Sequence, residues 1–135
     1  MKKTALFSLA IMAAALAGPA GAAPRLDPEA RLAKILEGRV AGKPVDCINP
    51  QVNTETQIVD HTAIVYGWGN TVYLQRPVNA QDLRDDDMLV TYLHGTGQLC
   101  SIDVVHLRDR NGGWNRGFVA LNKFVPYTRA RVATR

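Results

Sequence analysis

Cysteine, long apolar runs and acidic residues near the C-terminus are scarce in this sequence of 135 residues. Cys47 and Cys100 are its two cysteines, and no Asp or Glu follows Asp109. Past residue 22, no apolar run approaches the about 20 residues that a membrane-spanning helix needs. The histidines lack the close pairs, such as H-x3-H, that are typical of zinc sites. The sequence therefore predicts neither a membrane-spanning domain nor a metal site, and nothing in it indicates a cofactor.

The first 22 residues are predicted to be a signal peptide. Two lysines precede an apolar run at 5–17, a helix-breaking Gly18-Pro19 pair and small residues at 20–22 that suit a cleavage signal. We expect cleavage between Ala22 and Ala23, and a periplasmic or secreted protein of bacterial type. The alternative is a retained membrane anchor, for which the apolar run is short.

Removal of the signal peptide takes away two lysines and no acid, so the formal charge falls from +4 to +2. The remaining positive charge is concentrated toward the C-terminus, where residues 128–135 are predicted to form a basic flexible tail. That tail is a candidate contact for an anionic surface, and an envelope protein is the other candidate partner. No motif indicates binding to nucleic acid.

The two cysteines are expected to form a disulfide, because an oxidising compartment favours pairing in a small domain. Cys47 and Cys100 are 53 positions apart. The chain-entropy model gives about 4 kcal/mol of stabilisation for a loop of that length. An intermolecular disulfide and a reactive thiol are the alternatives.

Residues 23–45 are predicted to form a helix followed by a connector. Within 27–37, Asp27 suits the N-cap, Pro28 suits the first turn and Gly38 suits the end. Apolar residues recur at i, i+3 and i+4, so the helix is amphipathic and must pack on another element. The connector extends from Gly38 to Pro44.

Residues 46–127 are predicted to form a β domain, so the fold class is mainly β (α+β). Short β-branched runs separated by turns indicate five to seven antiparallel strands that curl into a small sheet or barrel. A Gly-rich loop at 67–70 predicts one hairpin, and the turn at 109–113 predicts another. The candidate strands are 57–59, 62–66, 71–75, 88–93, 99–107, 117–121 and 123–127.

Cys100, Asp103 and His106 lie within seven residues and suggest a nucleophile, an acid and a base. If 99–107 is one strand, however, its side chains alternate between faces. Cys100 and His106 then share a face about 20 Å apart, and Asp103 points to the opposite face. A disulfide-bonded Cys100 also has no thiolate. We therefore predict no catalytic residues in this stretch.

Three residues of predicted loops and turns, Trp68, His94 and Trp114, are candidate contacts for a ligand or partner. The alternative for both tryptophans is packing of the ring back onto the sheet. An acidic stretch at 82–87 suggests calcium, but the alternating ligands and distal glutamate of an EF-hand are absent. We predict a solvated acidic loop there.

Four motifs follow one another in this sequence: GKPVDCI (42–48), IVDHTAIVYG (58–67), LCSIDVVHLRD (99–109) and GFVALNKFVPY (117–127). In this order they resemble a family of small exported bacterial proteins that is described as a domain of unknown function. The resemblance covers about residues 30–127 and implies an exported β domain, with no implied activity. Members often carry two further cysteines, one of them in the closing strand, where this chain has Val119.

The function expected from these observations is a non-catalytic binding or inhibitor-like module of the cell envelope. The alternative is a small periplasmic hydrolase whose site is assembled from His61, His94 and Asp103. An enzyme requires at least two titratable side chains within hydrogen-bond reach in a pocket. A binding module should instead show an exposed aromatic or apolar patch near Trp68 or Trp114.

Overall fold

The computed structural model describes residues 21–131, so the predicted signal peptide lies almost entirely outside the described residues, as do residues 132–135. One α-helix and one short 3-10 helix (Ala80–Asp82) accompany ten strands. The helix α1 is Pro28–Ile35. The strands are β1 Arg39–Ala41, β2 Cys47–Ile48, β3 Thr56–Val59, β4 Ala63–Tyr66, β5 Thr71–Gln75, β6 Asp87–Thr91, β7 Leu99–Cys100, β8 Val104–Asp109, β9 Asn115–Ala120 and β10 Val125–Arg129.

The strands form three antiparallel sheets that curl around one another without closing. The largest has the order β1-β10-β5-β4-β3, the second β6-β8-β9, and β2 pairs with β7. An isolated bridge between Val45 and Phe124 connects the region of the small sheet to the large one. The Val78 N–H also donates to the Ala120 carbonyl (2.9 Å), which ties β9 to the segment after β5. The fold is therefore mainly β, as predicted.

Two apolar clusters occupy the two faces of the large sheet. Along β4, Ile64 and Tyr66 point into a core shared by all three sheets, while Ala63 and Val65 point to the other face. That second face is covered by α1 through Leu32, which is buried. The period-two alternation of strands explains why β4 is buried on both sides.

The helix begins as the sequence indicates. The Asp27 carboxylate accepts a hydrogen bond from the Glu29 N–H (3.2 Å), and Pro28 occupies the first turn. The helix ends at Ile35, two residues before the predicted end, and Gly38 follows in a left-handed conformation (φ 71°). Its exposed Glu29 pairs with Arg76 through two bonds of 2.8 and 2.9 Å, which joins the helix to the end of β5.

More strands form than the five to seven predicted, because β1 and β2 pair with distant strands and one predicted strand is divided into two. The predicted connector contains β1, whose three residues pair with β10. Because that pairing is long-range, the local sequence carries little signal for it. The predicted strand 99–107 is interrupted by a turn at 101–103, which separates β7 from β8. Residues 128–129, assigned to the flexible tail, belong to β10.

The two cysteines form an intramolecular disulfide. Cys47 on β2 and Cys100 on β7 are directly paired residues of the small sheet, with Cα atoms 4.0 Å apart. Ile48 and Leu99 form the adjacent pair, and both are buried in the shared core. The disulfide therefore fastens a sheet of two short strands that has few hydrogen bonds of its own.

Candidate functional site

The three-stranded sheet has one face in the core and one face toward water. Leu89, Val105, Leu107 and Val119 contribute to the core or pack against it. The alternate positions form what we call the outer face, which comprises Met88, Val90, Tyr92, Val104, His106, Arg108, Asn115, Phe118 and Ala120.

A sheet face exposed to water is normally polar, but most of the outer face is apolar, and its polar residues Arg108 and Asn115 lie at the end next to Met88. Tyr92 and Phe118 are 56% and 54% exposed, and Met88 and Val104 are also exposed. Ile102, in the turn before β8, is 91% exposed beside this face. A contiguous apolar surface of this kind marks an interaction site more often than single exposed apolar side chains do.

His106 lies at the centre of the outer face between two aromatic rings. It pairs across the strands with Val90 on β6 and with Phe118 on β9. Its ring centroid is 5.4 Å from that of Tyr92, edge to face, and 6.4 Å from that of Phe118. Within residues 21–131, no hydrogen bond joins the imidazole to another residue.

A cleft of about 250 Å³ opens at one end of the outer face. It is lined by Tyr92, His94, Ile102, Asp103, Val104 and His106. His94 enters it from the loop after β6, where an isolated bridge to Gln98 holds the loop. His94 and Asp103 therefore line the same cleft, but no hydrogen bond joins them among the described residues.

The prediction that Asp103 points to the face opposite His106 was wrong. Its carboxylate accepts a hydrogen bond from the Cys100 N–H (2.7 Å), and its own N–H donates to the Cys100 carbonyl (3.0 Å). This local bonding replaces the strand ladder with a turn, so Asp103 shares a cleft with His106 instead of lying on the opposite face. The carboxylate makes no hydrogen bond to a histidine among the described residues, and Cys100 is disulfide-bonded.

His61 lies in a different place from His94 and Asp103. It occupies the turn between β3 and β4 with a left-handed backbone (φ 51°), and its Nδ1 bonds the Gln81 carbonyl at 2.6 Å. It lines a polar depression of about 450 Å³ with Arg84, Arg116 and other residues. The three residues of the hydrolase hypothesis are therefore not assembled into one site.

The predicted contact residues Trp68 and Trp114 are both exposed, at 71% and 64%. Trp68 lies at the tip of the β4–β5 hairpin and does not pack back onto the sheet. Trp114 lies in the β8–β9 hairpin with its ring over Gly112, so that a Cβ added there would overlap the ring. Neither residue lines the cleft that contains His94.

The acidic stretch is not one solvated loop. Asp85 lies 3.5 Å from Arg31, and Asp82 accepts from Asn79, whereas Asp87 is buried and pairs with Arg116. The carboxylates therefore point to separate partners. Within the described part of the chain, no group of three or more His, Cys, Asp or Glu side chains could hold a metal ion.

No helix in residues 21–131 has the length and apolar character needed to cross a bilayer.

No family model, curated protein or solved structure matches the chain. The resemblance to small exported proteins therefore rests on short motifs alone. What the structure shows in common with it is a small β domain with a disulfide.

Sequence reasoning missed most of the outer face, although a signal for it exists. MLVTYL (88–93) and GFVAL (117–121) carry apolar residues at successive positions instead of alternating with polar ones. Such runs are typical of strands that are apolar on both faces. Because α1 covers the large sheet and not the three-stranded sheet, the outer face of the three-stranded sheet remains exposed.

Proposed function

We propose that this protein is an exported, non-catalytic module that binds another protein through its outer face. The observation that carries the proposal is the row of Tyr92, His106 and Phe118, which is aromatic, contiguous and open to water. Half-exposed aromatic side chains of this kind supply much of the binding energy at protein interfaces.

Export is supported by the signal-peptide features of residues 1–22 and by the disulfide between Cys47 and Cys100, which is typical of an oxidising compartment. Mass spectrometry of the protein recovered from the periplasm or medium should give a chain that begins at Ala23. A chain that still begins at Met1 would contradict export by signal cleavage.

The binding proposal is tested by site-specific photo-cross-linking in the producing cells. p-Benzoylphenylalanine at position 118 should give discrete protein adducts, because Phe118 lies in the outer face. The control is the same group at Val40, which is exposed on β1 of the five-stranded sheet. Equal adducts at both positions, or none at 118, would refute the proposal.

A small hydrolase is the second candidate, and the cleft shared by His94, Asp103 and His106 favours it. The probe is p-nitrophenyl acetate, compared between the natural chain and His94→Ala. Since Asp103 bonds the backbone of Cys100 and orients neither histidine, we expect the same background rate for both. A saturable rate that His94→Ala abolishes would replace the binding module with an enzyme.

A further inference from the structure

Two arginine side chains converge on the hairpin between β4 and β5. Arg39, the first residue of β1, and Arg129, the last residue of β10, are directly paired across these antiparallel strands. Arg39 donates from Nη1 to the Asn70 carbonyl and from Nη2 to the Gly69 carbonyl, both at 2.8 Å. Arg129 donates from Nε to the same Gly69 carbonyl at 3.2 Å. We call Arg39 and Arg129 the arginine pair, because their guanidinium groups share one acceptor.

The positive charge of the arginine pair is not balanced by an acid. Within residues 21–131, neither guanidinium group forms an ion pair with a carboxylate. This includes the carboxylate of Glu37, which is exposed two positions before Arg39. The hairpin carbonyls accept hydrogen bonds but have no net charge, so they hold the two groups in place without neutralising them. Arg131, also exposed, adds a third positive charge two positions after Arg129.

This arrangement is unfavourable without an anion. Like charges at directly opposite positions of neighbouring strands destabilise a sheet. Burial, and after it the positive charge of Arg129, lower the pKa of Arg39 below its ordinary value. Both Nη groups of Arg129 lack a hydrogen-bond partner among the described residues, and such planar donors match the oxygens of a phosphate. The pair can therefore accept a phosphate without breaking the bonds that hold the hairpin.

Trp68 adjoins the arginine pair in the sequence of the hairpin. It directly precedes Gly69, whose carbonyl both arginines bind, and its side chain is 71% exposed. Tryptophan is enriched at the headgroup level of lipid bilayers, where its apolar ring and its polar N–H both find suitable surroundings. A free anion would leave this ring in water. The combination of Trp68 with unbalanced arginines therefore favours a phospholipid surface as the source of the phosphate.

We propose that Trp68 and the arginine pair dock the exported protein on a bilayer that contains anionic phospholipids. Headgroup phosphates bind at the arginine pair, and the Trp68 ring enters the headgroup region. Of the segment predicted to be a basic tail, this site uses Arg129, which β10 fixes in place. The site lies on the five-stranded sheet and the outer face on the three-stranded sheet, so the proposal does not depend on the binding function assigned to the outer face.

The test is co-sedimentation of the exported protein, purified from the periplasm or medium, with lipid vesicles. Vesicles of phosphatidylcholine with phosphatidylglycerol should bind the protein, and vesicles of phosphatidylcholine alone should not. Arg129→Gln should weaken binding about fivefold, the effect of one basic residue near an anionic surface. Arg110→Gln is the matched control, since Arg110 is also exposed and donates only to backbone carbonyls, but lies in the turn after β8. It should bind nearly as the natural chain does.

Trp68 provides a second variant and a direct signal. Trp68→Ser leaves the arginine pair intact and should lose most of the vesicle binding with an unchanged thermal midpoint, which separates loss of the site from loss of folding. In a Trp114→Phe chain, the fluorescence of Trp68 should shift to shorter wavelength when anionic vesicles are added. Failure of the anionic vesicles to bind the natural chain would overturn the proposal.

Three further results would also overturn it. Equal losses in Arg129→Gln and Arg110→Gln would show that net charge alone attracts the protein to the vesicles. NMR shifts of the Arg129 side chain with inorganic phosphate, in a protein that binds no vesicles, would assign the site to a free anion. Vesicle binding that Phe118→Ser abolishes would place the lipid contact on the outer face, whereas the photo-cross-linking at position 118 tests the protein partner separately.

Discussion

At the scale of single residues, Tyr66 is a buried side chain whose hydroxyl lacks a hydrogen-bond partner among the described residues. Its side chain lies in the shared core, edge to face with Phe124 at 5.9 Å between ring centroids. Within the described residues, its hydroxyl is buried without a hydrogen-bond partner. A buried polar group in this state costs free energy that an apolar group of the same shape would not.

Tyr66→Phe is therefore expected to raise the free energy of unfolding by about 1 kcal/mol. Burial also raises the pKa of the Tyr66 phenol above its ordinary value. The folded state then holds the phenol proton more tightly than the unfolded state. The free energy of unfolding therefore has its full value, as far as this group is concerned, below about pH 10, and it falls as the pH rises above that value. Because Tyr66→Phe removes the titrating phenol, the free energy of unfolding of the variant should fall less at alkaline pH than that of the natural chain. Denaturant titrations at neutral and alkaline pH check both effects, and a destabilised variant would show that the hydroxyl has a partner.

Asp87 is the buried charge that the sequence did not reveal. Its side chain is 1% exposed, and its carboxylate pairs with Arg116 and accepts from the Arg84 N–H (3.0 Å). In the sequence, Asp87 is the last residue of the acidic stretch at 82–87, which was predicted to be a solvated loop. Only the tertiary fold shows that Arg116, 29 residues later, provides its partner.

Arg116→Met should destabilise the protein by about 3 kcal/mol, because it leaves an unpaired carboxylate in the interior. Arg110→Met is the control, since Arg110 bonds only backbone carbonyls of the same segment and is exposed. Its expected cost is about 1 kcal/mol or less. Equal effects of the two substitutions in denaturant titrations would contradict the importance of the buried pair.

At the scale of elements, the sequence correctly predicted the caps and turns that depend on bonds between neighbouring residues. The cap at Asp27, the hairpin through 67–70 and the tight turn at 109–113 all appear as expected, because each depends on neighbouring residues. In that last turn, the Asp109 carboxylate accepts from the N–H groups of Asn111 and Gly112 (2.9 and 2.7 Å).

The elements that were missed depend on distant partners or on a local bond that overrides propensity. β1 forms because β10 is available to pair with it. The strand predicted at 99–107 breaks because the Asp103 carboxylate bonds the Cys100 N–H, which a count of β-branched residues does not register. The outer face could be suspected from its non-alternating runs, but which face is covered depends on where α1 packs.

The β2–β7 pair is the element most dependent on a covalent bond. Its strands have two residues each, and Cys47 and Cys100 form one of the two residue pairs. Replacing both cysteines by serine should lower the free energy of unfolding by about 4 kcal/mol, within the range for removal of a native disulfide. Thermal unfolding of the natural and double-variant proteins measures this, with dithiothreitol on the natural chain as a second route to the same state. An unchanged midpoint would make the disulfide incidental to folding.

At the scale of the whole molecule, the curled sheets leave the outer face open, where side chains of β6, β8 and β9 are exposed. The tryptophans that the sequence singled out lie on hairpins away from the cleft, and the residues of the outer face replace them as the main candidates for contact with a protein partner.

The central claim is that the outer face binds a protein and does not support the fold. The most direct measurement is photo-cross-linking from position 104, on that face, in the natural chain and in the double variant Tyr92→Ser/Phe118→Ser. Because both side chains are more than half exposed, the double variant should keep its free energy of unfolding within about 1 kcal/mol. It should also lose the adducts that the natural chain gives. Adducts that persist in a folded double variant would contradict the claim.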